Sequence, residues 1–396
     1  MAKDVDSIKS TSGYLTTFAL YLGNPSYKDV LLYQQLKQTT KEAKQMSVAK
    51  RKRKRGSKKK EKSRDKIISD LPFDILFHIL QFMNVKHAVQ TSVLSKQWKD
   101  LWKGSASFSM NSTDFRRVID YNRFVSHFFS ARDTSITLPK VDVVLHRSSQ
   151  VQKLNRIITY AALHHVQQIT LHLSFYMLDS KFPSFIIQCP SLFYLQISHK
   201  HFCHPVLKFP NSLPLPALKV LHLENLCFTA SYSDCAEPFS CYNLLHTLIL
   251  NDCSLHRFDT EELFISNSSI STLSLHHLYR KPYRFLLSTP NLSFLTVMGQ
   301  SYLCNLSEEN IKVGSWLKLF ANVKEMTLPA AAIGFILEVL SKHNLVETQI
   351  ACFPKLESLK LIKDIHSVTS DEAVNTMVRY LHKNSPFARV DFIRSR

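Results

Sequence analysis

In the stretch HKHFCH, His199, His201, Cys203 and His204 fall within six residues, and imidazole and thiolate are the side chains that hold zinc. A zinc site takes two separated ligand pairs, each presented by its own turn, and no second pair appears at such a spacing. A loop with scattered His and Cys is the better reading, so neither a metal nor another cofactor is expected. Catalytic chemistry is equally hard to assemble. The chain has no GxGxxG, P-loop, HExxH or GxSxG motif, and no pattern joins a nucleophile to a base and an orienting group. With only seven glycines it also has little material for phosphate-cradling loops, which need positive φ and close backbone approach. The expectation is a protein that binds and is not itself an enzyme.

The chemistry that remains is charge. Residues 50–64, KRKRKRGSKKKEKSR, carry eleven Lys or Arg against Glu61 alone, and so account for +10 of the net +19. A block of like charge without apolar residues buries nothing and repels itself, so it is solvated chain. Such clusters are what the nuclear-import machinery reads, which makes Lys50, Arg51, Lys52, Arg53, Lys54, Arg55, Lys58, Lys59 and Lys60 a candidate import signal and the nucleus, with the cytoplasm, the expected location. A flexible solubilising tail is the plain alternative. Nucleic acid is a weaker partner, because no aromatics are interleaved to stack on bases and any contact would be phosphate-driven and salt-sensitive. The eight cysteines form no CxxC pair, and no N-terminal segment reads as a secretory signal, so the chain is expected to be reduced and intracellular. No stretch reaches transmembrane length, and no membrane partner is expected.

The elements behind the basic tract are helical in pattern. In ISDLPFDILFHILQFM, Leu71, Ile75, Leu76, Ile79, Leu80 and Met83 share one helical face, with Pro72 in the first turn and Ser69 or Asp70 as cap. KHAVQTSVL predicts a second short helix that groups Ala88, Val89 and Val93. Ser95 then caps a third, on which Trp98, Leu101 and Trp102 fall at i, i+3 and i+4. Roughly 40 residues cannot bury two tryptophans and so many aliphatics among themselves, so the unit needs a partner surface.

Residues 65–102, DKIISDLPFDILFHILQFMNVKHAVQTSVLSKQWKDLW, resemble the F-box motif in its plant form, with its LP opening, its AV.TSVLSK centre and its W..LW close. Phe73 stands where an acidic residue is usual and Gln97 where a basic one is. The resemblance implies docking on a Skp-type adaptor, and through it on a cullin, by Leu71, Pro72, Ile75, Ile79, Leu80, Val93 and Trp98. Packing within the chain is an equal reading for Leu101 and Trp102.

Beyond residue 105 a helix-like stretch, FRRVIDYNRFVSHFF, leads into VQKLNRIITYAALHHVQQITLHL, and from Val166 a motif of the form LxxLxL recurs eight times. Its instances start at Val166, Leu192, Leu218, Leu245, Ile270, Leu292, Val323 and Leu356, separated by 26, 26, 27, 25, 22, 31 and 33 residues. That period, with an apolar strand core in each unit, resembles a leucine-rich-repeat array. Pro190, Pro216, Pro290 and Pro354 each precede an anchor by two residues and punctuate the entry to a strand. With the anchors facing the core, the alternate residues form the exposed row: Tyr194, Gln196, His222, Glu224, Thr247, Ile249, Ser274, Phe294, Thr296, Thr327 and Lys360. Of these, Tyr194, Gln196, His222, Glu224, Ile249, Phe294 and Lys360 are the candidate contacts for an unidentified target protein, although solvated sheet positions would look the same one at a time. The C-terminal SDEAVNTMVRYLHKNSPFARVDF predicts a helix and a short strand that cap the array, loosely similar to the FBD type of plant F-box protein.

The expected organisation is an N-terminal extension (1–49), the basic tract (50–64), the F-box (65–105), a helical linker (106–135), the repeats (136–365) and a cap (366–396). The fold class is α/β, a three-helix F-box followed by a leucine-rich-repeat solenoid. The function this implies is that of a substrate-recognition adaptor in an SCF-type ubiquitin ligase. The competing reading is a nuclear scaffolding or nucleic-acid-associated repeat protein whose F-box is vestigial.

Overall fold

The computed structural model describes residues 72–174, 189–200, 207–230, 235–256, 262–276, 284–299, 321–330, 353–363 and 387–394, with a few single positions between them. Among the described residues the first element is helix α1 (Phe73–Gln81). Pro72 takes the N-cap position, not a place inside the first turn, and its carbonyl accepts from Ile75 N and Leu76 N at 3.1 and 3.2 Å. Asn84 caps helix α2 (Val85–Gln90), its side chain accepting from His87 N at 2.9 Å.

The expected continuation differs. The chain tightens into a 3-10 turn at Thr91–Val93, so Val93 is carried away from buried Ala88 and ends fully outside. The third helix does not form. Residues 96–100 are turns, with Trp98 N donating to Ser95 O at 3.1 Å, and a second 3-10 turn spans Leu101–Gly104. Trp98, Leu101 and Trp102 are buried all the same. Gly104 lets this turn approach α1, since a Cβ there would meet the Phe77 ring at 3.2 Å.

The residues read as a linker supply strand β1 (Ser107–Asn111) and helix α3 (Val118–Ala131), whose buried Tyr121, Val125 and Phe128 keep helical spacing. Strand β2 (Lys140–Leu145), helix α4 (Val151–Leu163) and strand β3 (Gln168–Leu173) come next. β1, β2 and β3 pair in parallel, which requires crossovers, and α3 and α4 are those crossovers. The chain continues through β4 (Tyr194–His199), β5 (Val220–Glu224), β6 (Cys227–Phe228), β7 (Cys235–Ala236), β8 (Thr247–Asn251), β9 (Ser254–Leu255), β10 (Glu262–Ser266), β11 (Thr272–His276), β12 (Arg284–Ser288), β13 (Phe294–Met298), β14 (Glu325–Pro329), β15 (Ser358–Lys363) and β16 (Arg389–Arg394).

Eleven of these strands form one sheet in the order β1-β2-β3-β4-β5-β8-β11-β13-β14-β15-β16, every described pair parallel. The eight LxxLxL segments supply the eight consecutive strands from β3 to β15, and each of their anchors is buried. Two small parallel sheets, β12-β10-β7 and β6-β9, lie between the main strands in sequence, where the motif gave no strand. The exits of β5 and β8 share a device: Asn225 and Asp252 sit at φ 60° and 47°, a conformation Asn and Asp tolerate, and donate their backbone N–H to Asn251 O and His276 O at 2.7 Å. Buried side chains from Leu76 in α1 to Leu361 in β15 belong to one continuous core.

Candidate functional site: an apolar docking face and the open face of the parallel sheet

The N-terminal helices leave a set of large apolar side chains uncovered. Phe73 and Ile75 in α1, Phe82 just beyond it, and Val93 and Leu94 at the 3-10 turn after α2 are all exposed, Val93 by 87%. Inside the same unit Leu76, Leu80, Val85, Ala88 and Trp98 are buried, so the exposed set is surplus to its core. Polar and aromatic contacts hold the unit to residues 114–128. Asn84 Nδ2 donates to Asp114 Oδ2 at 3.0 Å, Lys86 Nζ donates to the Asp114 carbonyl and lies 4.9 Å from the Phe115 ring, and Trp102 packs at 5.5 Å on Phe128.

The second surface is the face of the main sheet opposite the anchors. Parallel register aligns its residues into rows that cross the strands. One row runs Gln168, Tyr194, Val220, Thr247, Thr272, Phe294, Glu325 and Ser358. The next runs Asp142, Thr170, Gln196, His222, Ile249, Ser274, Thr296, Thr327 and Lys360. A third carries His172, Ser198, Glu224, Asn251 and His276.

This face is polar and partly desolvated. Tyr194 Oη donates to Gln196 Oε1 at 2.8 Å, Ser198 Oγ donates to Glu224, and Asn251 Nδ2 lies 2.9 Å from His222 Nε2. Burial holds His172, His222 and His276 below the ordinary imidazole range, against the pull of nearby carboxylates. Burial likewise raises the Asp142 carboxyl, although His172, Lys140 and Ser109 oppose the shift. The arrangement offers neutral imidazoles, hydroxyls and amides to a partner, with Lys360 paired to Glu325 at 3.7 Å near one end.

A family model described as the F-box domain matches residues 68–110, the segment that presents the exposed apolar set. The chain carries an F-box. Its relatives agree. An FBD-associated F-box protein of Arabidopsis thaliana is 25% identical over 247 residues, 62% of this chain and 56% of its own length. An F-box/LRR-repeat protein of the same plant is 27% identical over 261 residues, 62% of this chain and 65% of its own. An F-box/FBD/LRR-repeat protein from that plant is 26% identical over 312 residues, 69% and 62% respectively. The chain is thus a relative of plant F-box proteins with leucine-rich-repeat and FBD features, and it spans less than two thirds of the length of each of these three.

Within the F-box the sequence-predicted contacts separate. Pro72, Ile75 and Val93 are exposed and Ile79 is half-buried, whereas Leu80 and Trp98 are core residues of the free chain, Trp98 being 3% exposed. Trp98 lies on the turns at 96–100 that stand in place of a third helix. Leu71 lies outside the described residues, as does the whole basic tract from Lys50 to Lys60. Sequence reasoning missed Phe73, Phe82 and Leu94. Their signal was available: three bulky apolar residues that fall off the buried stripe of α1 and α2.

On the sheet, Tyr194, Gln196, His222, Glu224, Ile249, Phe294 and Lys360 all occupy the aligned rows, Phe294 the most exposed of them. Asp142 and His172 join them there, although the exposed row inferred from the LxxLxL motif begins only at Tyr194. Of the HKHFCH cluster, His199 is buried at the end of β4, and His201, Cys203 and His204 lie outside the described residues. Among the described residues no group of three or more His, Cys, Asp or Glu could hold a metal, and Cys189, Cys227, Cys235, Cys241 and Cys253 form no disulfide. Burial pushes the Cys189 thiol up to about 11, which disfavours its thiolate.

Proposed function

We propose that this protein is the substrate-recognition adaptor of an SCF-type ubiquitin ligase, its F-box docking on a Skp-type adaptor and, through that, on a cullin. The observation that carries the reading is the coincidence of the F-box match with an uncovered apolar face. A chain that left Phe73, Ile75, Phe82, Val93 and Leu94 in water would hold an aggregation-prone patch, and a partner that covers them removes it. The docking set is therefore Pro72, Phe73, Ile75, Phe82, Val93 and Leu94, with Ile79 at its margin.

The parallel sheet, with its 22-to-33-residue period, is read as a leucine-rich-repeat solenoid, and its aligned rows as the surface that holds the target. The contribution to catalysis is proximity: the target is held near the ubiquitin-charged enzyme, and this chain supplies no nucleophile. The basic tract is proposed to direct the protein to the nucleus.

Affinity purification of the full chain from plant cells, coupled to mass spectrometry, tests this reading. A Skp-type adaptor and a cullin should be recovered together. Recovery without either, alongside salt-sensitive nucleic-acid binding that requires residues 50–64, would favour the scaffolding alternative.

A further inference from the structure

The main sheet ends on β16, which pairs with β15 along one edge and with no other described strand along the other. That outer edge is uncovered. Phe387, just before β16, is 88% exposed, and Arg389, Asp391, Phe392 and Ile393 are exposed with it. At the opposite end of the sheet Phe108 and Met110 of β1 are buried. Large apolar side chains beside unpaired strand backbone invite a further strand.

Backbone direction limits how such a strand can sit. Arg389 N donates to Glu357 O at 3.0 Å, so Arg389, Asp391 and Ile393 turn their N–H and C=O toward β15. Val390 and Phe392 turn theirs outward. The carbonyl of Ala388 points outward as well, while its N–H already donates to Ser385 O at 3.0 Å. A second copy of β16 laid antiparallel on this edge must therefore match outward residue to outward residue.

Charge then separates the few registers that remain. A register centred on Arg389 sets Arg against Arg, and one centred on Asp391 sets Asp against Asp. One centred on Phe392 puts Asp391 opposite Ile393. Only with Val390 opposite Val390 does the Arg389 of each copy meet the Asp391 of the other. The same register brings Phe387 opposite Ile393 and small Ala388 opposite large Phe392. Charges on an edge strand ordinarily prevent pairing, but alternating signs on one face select a single alignment. Arg389 and Asp391 are available for it, since neither forms an ion pair among the described residues.

We propose that the protein self-associates through this edge, two copies pairing β16 antiparallel about Val390 with reciprocal Arg389–Asp391 ion pairs. Arg389 and Asp391 align with Ser358 and Lys360 on the open face, so the open faces of both copies lie on the same side of the joined sheet. The proposal does not rest on adaptor docking, because β16 and β1, the strand that follows the F-box helices, are at opposite ends of the sheet.

The test is analytical ultracentrifugation of the full chain over a concentration series. Wild type should show a monomer–dimer equilibrium. Arg389→Asp and Asp391→Arg should each weaken it by about tenfold or more, since either change turns both ion pairs into like-charge pairs. An equimolar mixture of the two variants should recover the dimer, because opposite charges then face each other at both positions. Val93→Asp, on the F-box face, should leave the equilibrium unchanged. Both charged positions are exposed, so the circular dichroism spectra should match wild type. A wild-type chain that stays monomeric at its highest soluble concentration, single variants that associate like wild type, or a mixture that stays monomeric would overturn the proposal. Loss of the dimer in Val93→Asp would also overturn it, by moving the contact to the F-box face.

Discussion

Arg132, 3% exposed at the end of α3, donates from Nε and Nη2 to the carbonyl oxygen of Ser105 at 3.2 and 3.0 Å. Its Nη2 also reaches the Thr137 carbonyl at 2.7 Å, and its Nη1 the Tyr160 hydroxyl at 3.3 Å. One guanidinium thus fastens the end of the F-box to the start of the sheet, and it sits where a cation favours a helix C-terminus.

Arg132→Met should therefore cost about 3 kcal/mol or more, since it leaves buried carbonyls without donors. Because the core is continuous across this junction, the loss should appear as an earlier single unfolding transition in urea, not as early melting of the F-box alone. An unchanged midpoint would show that the junction is not held by this residue.

Trp98 and Val93, both read from sequence as partner contacts, should now behave oppositely. Trp98→Ala empties a core position and should lose about 3–5 kcal/mol of stability. Trp98→Phe should lose less, since the indole Nε1 is buried without a hydrogen-bond partner among the described residues. Val93→Ser, at an 87% exposed site, should change stability by no more than about 0.5 kcal/mol. Equal unfolding curves for the Trp98→Ala and Val93→Ser variants would refute this division.

The division shows what the sequence could carry. LxxLxL spacing encodes strand and facing residue together, so eight consecutive strands and the sheet face whose rows carry Tyr194 and Lys360 were legible. β1 and β2 lack the motif; their SFSMN and KVDVVL alternate like any half-buried strand, and only pairing across distant sequence assigns them to the sheet. Trp98, expected at the partner surface, is buried in the free chain for another reason. Helical spacing reports a shared face but not what covers it, and the turns at 96–100 replaced the helix on which that expectation depended.

The open sheet face should make the protein acid-sensitive. Burial places His172, His222 and His276 below the ordinary value of 6.5, so at lower pH the unfolded chain takes up protons that the folded chain resists. Stability from these groups is fully present above 6.5 and is lost as pH falls through their depressed folded values. Asp142, raised from 3.8 by burial, works in the opposite sense and offsets part of the loss at lower pH. Thermal midpoints should decline from pH 7 to pH 5, and His172→Gln should flatten the decline. A profile with no slope in that window would contradict the placement of these imidazoles.

Deleting residues 50–62 from a fluorescently tagged full chain should shift it from nucleus to cytoplasm while leaving adaptor binding intact. The tract lies outside the F-box match, and import signals are read as charge clusters. An unchanged distribution on imaging would defeat the import reading.

The docking face is tested most directly by calorimetric titration of a purified Skp-type adaptor into the full chain, wild type against Val93→Asp. Wild type should bind one to one. The variant puts a charge into a contact that must be desolvated, and should lose at least about 2 kcal/mol, roughly 30-fold in affinity, with its circular dichroism spectrum unchanged. Wild-type affinity in the variant, or no adaptor binding by the wild-type chain, would contradict the account.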